Sequence, residues 1–174
     1  MLIDDYELTL TSPPCDPGSE TWSAFAALDT DISETFPYLN AVWPDAVYDH
    51  VSKVLTRRSH GHAMFVRPRE IGVSNVADRA DGARMLEEII NEVNRAWERR
   101  DEVQPDYTRR TRATPMDIYR LLPKTNCKAC GQPTCFTFAL QVAAGNMDLS
   151  ACDLLSSSEF ARQRRRLHGL LGTD

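Results

Sequence analysis

Four cysteines within a stretch of 26 residues constrain this chain more than any other feature: Cys127, Cys130, Cys135 and Cys152. Their spacing is C-x2-C-x4-C-x16-C, so three of them come from one nine-residue loop and the fourth follows later. Four thiolates can surround one centre from several directions, and such soft ligands favour an iron–sulfur cluster or a zinc ion. Structural zinc sites usually pair two short C-x2–4-C knuckles, which the sixteen residues before Cys152 do not match. The spacing therefore favours a cluster, with zinc and free thiols as the alternatives.

The composition is that of a soluble globular protein, and we expect a cytoplasmic location. A chain of 174 residues suffices for one ordinary domain, or for a core plus a small metal-stabilised module. No apolar stretch approaches the ~20 residues that cross a bilayer, and residues 1–7 are acidic where a signal peptide needs basic ones. A reducing compartment disfavours disulfides and favours metal binding by cysteines. The fifth cysteine, Cys15, lies in a proline-rich loop and is predicted to be a free thiol.

The first 104 residues predict a small α+β domain. Runs of alternating or β-branched residues predict strands, and residues 58–61 suit a hairpin turn between two of them. The clearest helix signal begins at Asp78 or Asp81, either of which can cap it, and continues with apolar residues at helical spacing. Strands followed by a helix that covers one face of the sheet give this arrangement of layers. The predicted elements are strands at 6–10, 47–55, 62–66 and 70–73, a short helix at 31–40 and a long helix that reaches Trp97.

The remainder of the chain predicts a small, mostly helical module. Thr114 can cap a helix that has Pro115 at its first position. A second short helix is predicted over Cys135–Ala144, with Gly145 as its C-terminal signal. The resulting division is an α+β domain at 1–104, a polar linker at 105–113, a cluster domain at 114–155 and a basic helical tail at 156–174.

The segment around the cysteines resembles a known [4Fe–4S] domain. The matching runs are LLPKTNCKACGQPTCFTFA at 121–139 and GNMDLSAC at 145–152, and the resemblance covers about residues 116–155. This domain occurs in the large subunit of the corrinoid iron–sulfur protein of the acetyl-CoA pathway, and a related version occurs in the B subunit of Rnf-type electron-transport complexes. The four cysteines of the family ligate the cluster, so the resemblance implies this role for Cys127, Cys130, Cys135 and Cys152. A proline usually follows the last ligand in the family, whereas this chain has Asp153.

The resemblance implies a redox function in anaerobic metabolism. The chain is expected to carry single electrons to a larger redox, corrinoid or other metallo-enzyme, or to support that enzyme's reductive activation, with a separate electron donor. The N-terminal domain is then expected to recognise the partner. An accessory subunit with a structural metal site and a cluster-assembly or delivery factor are the alternatives. The sequence has no glycine-rich phosphate loop and no recognisable nucleophile–base pair, which argues against an independent enzymatic activity.

The charge distribution and two histidines suggest two further, weaker candidate sites: a docking surface and a second metal site. Residues 105–174 hold 10 Lys/Arg against 6 Asp/Glu, with four arginines between 162 and 166. This basic tail is either a docking surface for an acidic electron carrier or a solvated helix end, and nothing in the charge pattern requires nucleic acid. His60 and His62 could bind a metal, but no cysteine or carboxylate is adjacent in sequence, so a solvated turn is the favoured interpretation.

Overall fold

The computed structural model describes residues 1–12 and 21–172, which divide into two compact units. The first unit consists of Met1–Arg57 and His62–Arg110, and the second of Arg58–Gly61 and Thr111–Asp174. The prediction for Cys15 lies outside the described residues. Each unit has its own cluster of buried apolar side chains.

The first unit is built on a six-stranded sheet with the order β1-β2-β6-β5-β4-β3. Antiparallel pairing joins β1 to β2, β2 to β6, β5 to β6 and β3 to β4. The sheet, together with the helices of the C-terminal part, confirms the predicted α+β class. The strands are β1 Glu7–Thr11, β2 Trp22–Ala27, β3 Val47–Asp49, β4 Val54–Ser59, β5 His62–Arg67 and β6 Glu70–Val76.

Two phenylalanines cover a glycine in the middle of this sheet. Gly72 of β6 is the direct partner of Phe25 on β2 and of Phe65 on β5. The two rings lie 5.9 Å apart between centroids, and a Cβ atom at position 72 would sit 2.3 Å from the Phe65 ring. Because Gly72 has no side chain, the Phe65 ring can fill the space above it. This packing also fixes the register between β5 and β6.

The long helix α2, Arg79–Glu98, covers one face of the sheet, as the periodicity predicts. Asp78 caps it, because its carboxylate accepts the N–H of Asp81 at 2.8 Å. The helix approaches the sheet closely at Gly82, where a Cβ atom would lie 2.7 Å from that of Ala24 on β2. The buried face of α2 is apolar and includes Leu86, Ile89, Ile90 and Val93.

A short helix and the segment after α2 complete the first unit. Helix α1, Phe36–Val42, follows a 3-10 turn at Ser33–Thr35 and carries the buried Asn40. The Asn40 amide nitrogen donates to the carbonyls of Asp106 at 2.9 Å and Thr108 at 3.0 Å. Arg110 in turn donates to the Asn40 carbonyl at 2.7 Å. Residues 106–110, which fall within the predicted linker, are therefore hydrogen-bonded to α1.

The second unit contains three helices around a small apolar core. Its helices are α3 Pro115–Leu121, α4 Cys135–Ala144 and α5 Ala161–Leu171. Three 3-10 turns, Leu149–Ala151, Asp153–Ser156 and Ser158–Phe160, connect α4 to α5. In the part of the chain that the structure describes, no helix is both long and apolar enough to cross a membrane. The most deeply buried side chains of this unit are Ile118, Phe138, Ala139, Leu155 and Leu167.

Candidate metal centre

The four C-terminal cysteines line one pocket of the second unit. All four are free thiols: Cys127 is exposed, Cys130 and Cys135 are half-buried, and Cys152 is buried. The rest of the pocket wall comes mainly from the loop between α3 and α4, from Phe138 on α4 and from the residue after Cys152. The structure thus brings together all four predicted ligands, although 24 residues of sequence lie between the first and the last.

The loop that carries the first cysteines has an unusual backbone. Lys124, Asn126, Lys128 and Gly131 all have positive φ, at 60°, 51°, 64° and 78°. Such values cost an ordinary L-residue about 1–2 kcal/mol, and lysine has no special tolerance for them. When residues with left-handed backbone conformation alternate with residues of negative φ, successive backbone N–H groups point to the same side of the chain. The resulting concave surface binds anions and surrounds many iron–sulfur clusters. The loop around Cys127 has this alternation from position 124 to 128.

Hydrogen bonds from this loop stabilise the thiolate of Cys127. The backbone N–H of Ala129 makes the largest contribution, and the hydroxyl of Thr125 and the N–H of Cys127 itself add to it. Together they lower the pKa of the Cys127 thiol below its ordinary value, although the carboxylate of Asp153 acts in the opposite direction. The same donors that stabilise a thiolate also stabilise a sulfur that ligates a metal.

Asn126 joins the loop to the start of α4 through Cys135. Its side-chain oxygen accepts the N–H of Cys135 at 2.8 Å, and its own N–H donates to the Cys135 sulfur at 3.4 Å. Cys135 is the first residue of α4, and the Thr134 side chain caps that helix by accepting the N–H of Thr137 at 3.0 Å. The helix ends at Gly145, with φ 78°, so both predicted ends of α4 are confirmed.

Cys152 reaches the pocket from the other side, between two 3-10 turns. Only 8% of its surface is exposed, and this burial raises the pKa of its thiol. The nearby sulfurs of Cys130 and Cys135 raise the pKa further, while the backbone N–H groups of Leu155 and Leu154 oppose the rise. Metal ligation requires the thiolate, so a bound metal centre would have to displace this proton.

The donor chemistry of the pocket fits an iron–sulfur group, since four cysteines line it and the backbone N–H of Asn126 donates to the sulfur of one of them, Cys135. Among the described residues, no group of three or more His, Cys, Asp or Glu side chains is arranged to hold a single metal ion. The two histidines of the β4–β5 hairpin have other neighbours. His60 lies 2.7 Å from the Ser59 hydroxyl through Nδ1, and Nδ1 of His62 lies 3.0 Å from the Ser74 carbonyl oxygen.

Two residues near Cys127 carry no signal in the sequence. The Thr125 side chain helps to lower the pKa of the Cys127 thiol, and Lys128 adopts φ 64° between two of the cysteines. No sequence pattern distinguishes these residues from solvated loop residues. The positive φ of Asn126 could be predicted from the sequence, because asparagine is among the few residues that tolerate the left-handed region.

Comparisons with known proteins agree with this geometry. Residues 122–153 match the family model described as "Putative Fe-S cluster". This stretch contains all four cysteines and the loop with positive φ values. The resemblance that the sequence indicates is therefore confirmed for this segment. No solved structure matches the chain.

The similar curated proteins are gamma subunits of the acetyl-CoA decarbonylase/synthase complex and the large subunit of a corrinoid/iron-sulfur protein. The acetyl-CoA decarbonylase/synthase complex subunit gamma of Methanocaldococcus jannaschii is 39% identical over 56 residues, which are 32% of this chain and 12% of that protein. The corrinoid/iron-sulfur protein large subunit of Moorella thermoacetica is 44% identical over 45 residues, 26% of this chain and 10% of that protein. The gamma subunit of Methanothermobacter thermautotrophicus is 43% identical over 58 residues, 33% and 12% respectively. The similarity thus spans only about a tenth of these relatives' length.

Proposed function

We propose that Cys127, Cys130, Cys135 and Cys152 ligate one [4Fe–4S] cluster, and that the chain passes single electrons to a larger metallo- or corrinoid enzyme. The observation that carries the proposal is the shared pocket: four free thiols from a loop, a helix start and a 3-10 turn line one cavity. Similarity to subunits of the acetyl-CoA decarbonylase/synthase complex and to a corrinoid/iron-sulfur protein supports a large anaerobic enzyme as the partner.

The residues around the cysteines have defined parts in this proposal. The backbone N–H of Asn126 donates to the Cys135 sulfur at 3.4 Å, and the backbone N–H of Ala129 lowers the pKa of the Cys127 thiol. Such donors stabilise negative charge on the sulfur atoms and favour the reduced form of a cluster. The cluster supplies one-electron transfer when bound, and the chain holds it and sets the polarity around it.

Exposure of the loop supports an electron-transfer role over a purely structural one. Residues 124–129 are all exposed, so the Cys127 side of the pocket lies at the surface of the unit. Lys124 and Lys128 flank Cys127 within this stretch and add positive charge. A partner that docks here would bring its own redox centre close to the cysteines, and an acidic docking surface would match the two lysines.

The test is anaerobic purification followed by iron and sulfide analysis and by EPR during a potentiometric titration. We expect about four iron and four sulfide per chain and a reversible low-potential signal. Cys135→Ala should abolish the native cluster or convert it to a three-iron form, whereas the control Cys15→Ala should keep iron content and spectrum. Full [4Fe–4S] content in Cys135→Ala would disprove the ligand assignment.

A structural metal is the second candidate, and one observation favours it. Cys152 belongs to the buried core of the second unit, and Cys130 and Cys135 pack against that core, so a metal there would also hold the unit together. Zinc in the purified protein, or a cluster that cannot be reduced, would establish this role and refute electron transfer. Rapid transfer of the cluster to an apo-protein would instead indicate cluster delivery.

A further inference from the structure

The first unit contains a second pocket, with no cysteine in its wall, that no feature of the cluster site explains. It has a volume of about 470 Å³ and is open to solvent. Ligand pockets of proteins commonly measure ~300–1,000 Å³ and combine aromatic walls with a few polar groups. The lining residues are Ser33, Glu34, Pro37, Tyr38, Tyr48, Lys53, Trp97, Arg100 and Tyr107.

Four aromatic residues from separate parts of the chain line this pocket. Tyr38 comes from α1, Tyr48 from β3, Trp97 from the end of α2 and Tyr107 from the segment after it. Tyr107 remains 60% exposed although it lines the wall. A large aromatic side chain held open to solvent at a pocket leaves a face available for stacking.

Hydrogen bonds on both sides hold Tyr107 in this position. The N–H of Asp106 donates to the Pro37 carbonyl at 3.0 Å, and the carbonyl of Thr108 accepts from the Asn40 amide at 3.0 Å. The segment therefore forms a fixed wall of the pocket. Fixing an exposed aromatic residue in advance lowers the entropic cost of binding a ligand against it.

Two cationic side chains, Arg100 and Lys53, line the same pocket and keep N–H donors that are not used in the hydrogen bonds described below. The Arg100 guanidinium lies 4.5 Å from the Trp97 ring and donates one N–H to the Trp97 carbonyl at 2.8 Å, out of five available. Lys53 donates to the Ser33 hydroxyl at 3.3 Å. Within the described residues the pocket wall has two cations and one carboxylate, Glu34, so positive charge is in excess in the wall itself. Asp31, outside the wall, is the carboxylate whose pKa Lys53 helps to lower.

The backbone at Lys53 is a further indication of a site. Its φ is 50°, a left-handed value that lysine adopts at a cost of about 1–2 kcal/mol. The preceding turn is held by the Asp49 carboxylate, which accepts the N–H groups of Val51 at 3.1 Å and Ser52 at 3.2 Å. Strain of this kind persists where the surrounding structure fixes it, and it clusters at binding sites.

We propose that this pocket binds a nucleotide-sized ligand with a planar aromatic ring and an anionic group. The ring stacks on Tyr107 and its aromatic neighbours, while the anionic group pairs with Arg100 and Lys53. The proposal concerns the first unit alone and does not depend on the identity of the metal in the second. Because Arg100 and Tyr107 lie at the pocket surface, their substitution should leave the fold intact.

The test is isothermal titration calorimetry of the intact, metal-loaded chain with AMP and FMN as probes. Adenosine and riboflavin carry the ring without phosphate, and inorganic phosphate carries the anion without a ring. We expect AMP or FMN to bind about tenfold tighter than its uncharged counterpart and tighter than phosphate. Arg100→Gln and Tyr107→Ala should each weaken binding about tenfold.

Arg99→Gln is the matched control, because Arg99 pairs with Glu102 at 3.2 Å and does not line the pocket. It should leave the affinity unchanged. The proposal is refuted if neither AMP nor FMN binds, if phosphate alone binds as tightly as the nucleotides, or if Arg99→Gln weakens binding as much as Arg100→Gln. Circular dichroism of each variant confirms that the chain is folded when binding is lost.

Discussion

Asn126 offers a direct test of how the loop would hold the proposed metal centre. Its side chain accepts the Cys135 N–H at 2.8 Å, and its backbone has φ 51°. Asn126→Ala removes the acceptor, which is worth about 1 kcal/mol, and places alanine in the left-handed region at a further cost of about 1 kcal/mol. The sum of about 2 kcal/mol corresponds to roughly a 30-fold change in an equilibrium or rate.

Asn126→Gly separates the two effects, because glycine adopts positive φ without strain and lacks the acceptor. It should therefore show only the hydrogen-bond loss, about 1 kcal/mol or roughly fivefold. Asn146→Ala is the control, since Asn146 is exposed, lies in the same unit and pairs with Gln141 away from the cysteines.

The assay follows the loss of visible iron–sulfur absorption after an iron chelator is added anaerobically. We expect the order wild type and Asn146→Ala slowest, then Asn126→Gly, then Asn126→Ala fastest. Equal rates for Asn126→Gly and wild type would show that the side-chain hydrogen bond to Cys135 contributes nothing. Equal rates for the glycine and alanine variants would show that the positive φ at this position costs nothing.

Three predictions concern the folds of the two units. Asn94→Ala should lower the free energy of unfolding by about 3 kcal/mol in urea denaturation, because the buried N–H and carbonyl of Ile3 and the part-buried N–H of Leu2 lose their partner. Asn91→Ala, at an exposed position of the same helix, should be nearly neutral. Thr114→Ala should cost about 1 kcal/mol by removing the cap of α3. The hydroxyl and N–H of Thr114 hold the pKa of Asp117 below its ordinary value. The ionised Asp117 carboxylate contributes this stability fully at neutral pH, and the contribution is lost as the pH falls through the lowered pKa. The loss of unfolding free energy caused by Thr114→Ala should therefore be smaller at acidic pH than at neutral pH.

The elements that sequence predicts well are those with local signals. Helix α2 has an Asp cap and apolar residues at helical spacing, and α4 has a glycine at its end, so both appear where the pattern places them. The hairpin at His60–Gly61 is equally local, because φ values of 50° and 80° make a two-residue turn of type I′. The shared pocket of the four cysteines has a largely local signal too, since three of them lie within nine residues; their role as ligands stays a prediction.

The strand β2 was not predicted, and the run 47–55 is two strands rather than one. The buried positions of β2 are Ala24 and Ala26, which carry little of the β-branched or aromatic signal, because α2 approaches too closely for larger residues. The run 47–55 breaks because the Asp49 side chain accepts two following N–H groups and turns the chain. The first error is caused by tertiary packing and the second by side-chain hydrogen bonds, and neither changes the hydrophobic periodicity of the sequence.

The segment 106–110 shows the same limit at longer range. Its composition predicts a linker, yet Asn40, 66 residues earlier, binds the carbonyl of Asp106. The buried Asn40 side chain thus helps to hold residues 106–110 in place. No local sequence pattern in 106–110 indicates a hydrogen-bond partner that lies so far away in the chain. One wall of the aromatic pocket depends on this contact, so the sequence gives no signal for that pocket, whereas the cysteines that share a pocket are close together in sequence.

The two units should respond differently to removal of the metal centre. In the described residues the first unit buries 21 apolar side chains in its core, whereas the second buries 10, one of which is Cys152. A unit of fewer than about 70 residues rarely gains more than ~3–5 kcal/mol from its core alone, and bound metal contributes folding free energy directly. We therefore expect the second unit to depend on the cluster and the first to be independent of it.

Chelation of the metal under reducing conditions tests this expectation. Calorimetry of the cluster-free chain should show a separate transition at lower temperature, and limited proteolysis should cut within residues 111–172 while leaving the first unit intact. Asn94→Ala identifies the transitions, because it should lower only the one that belongs to the first unit. If the cluster-free chain instead melts in one transition at the temperature of the loaded chain, then the cysteines do not stabilise the second unit through a metal, and its 10 buried side chains suffice.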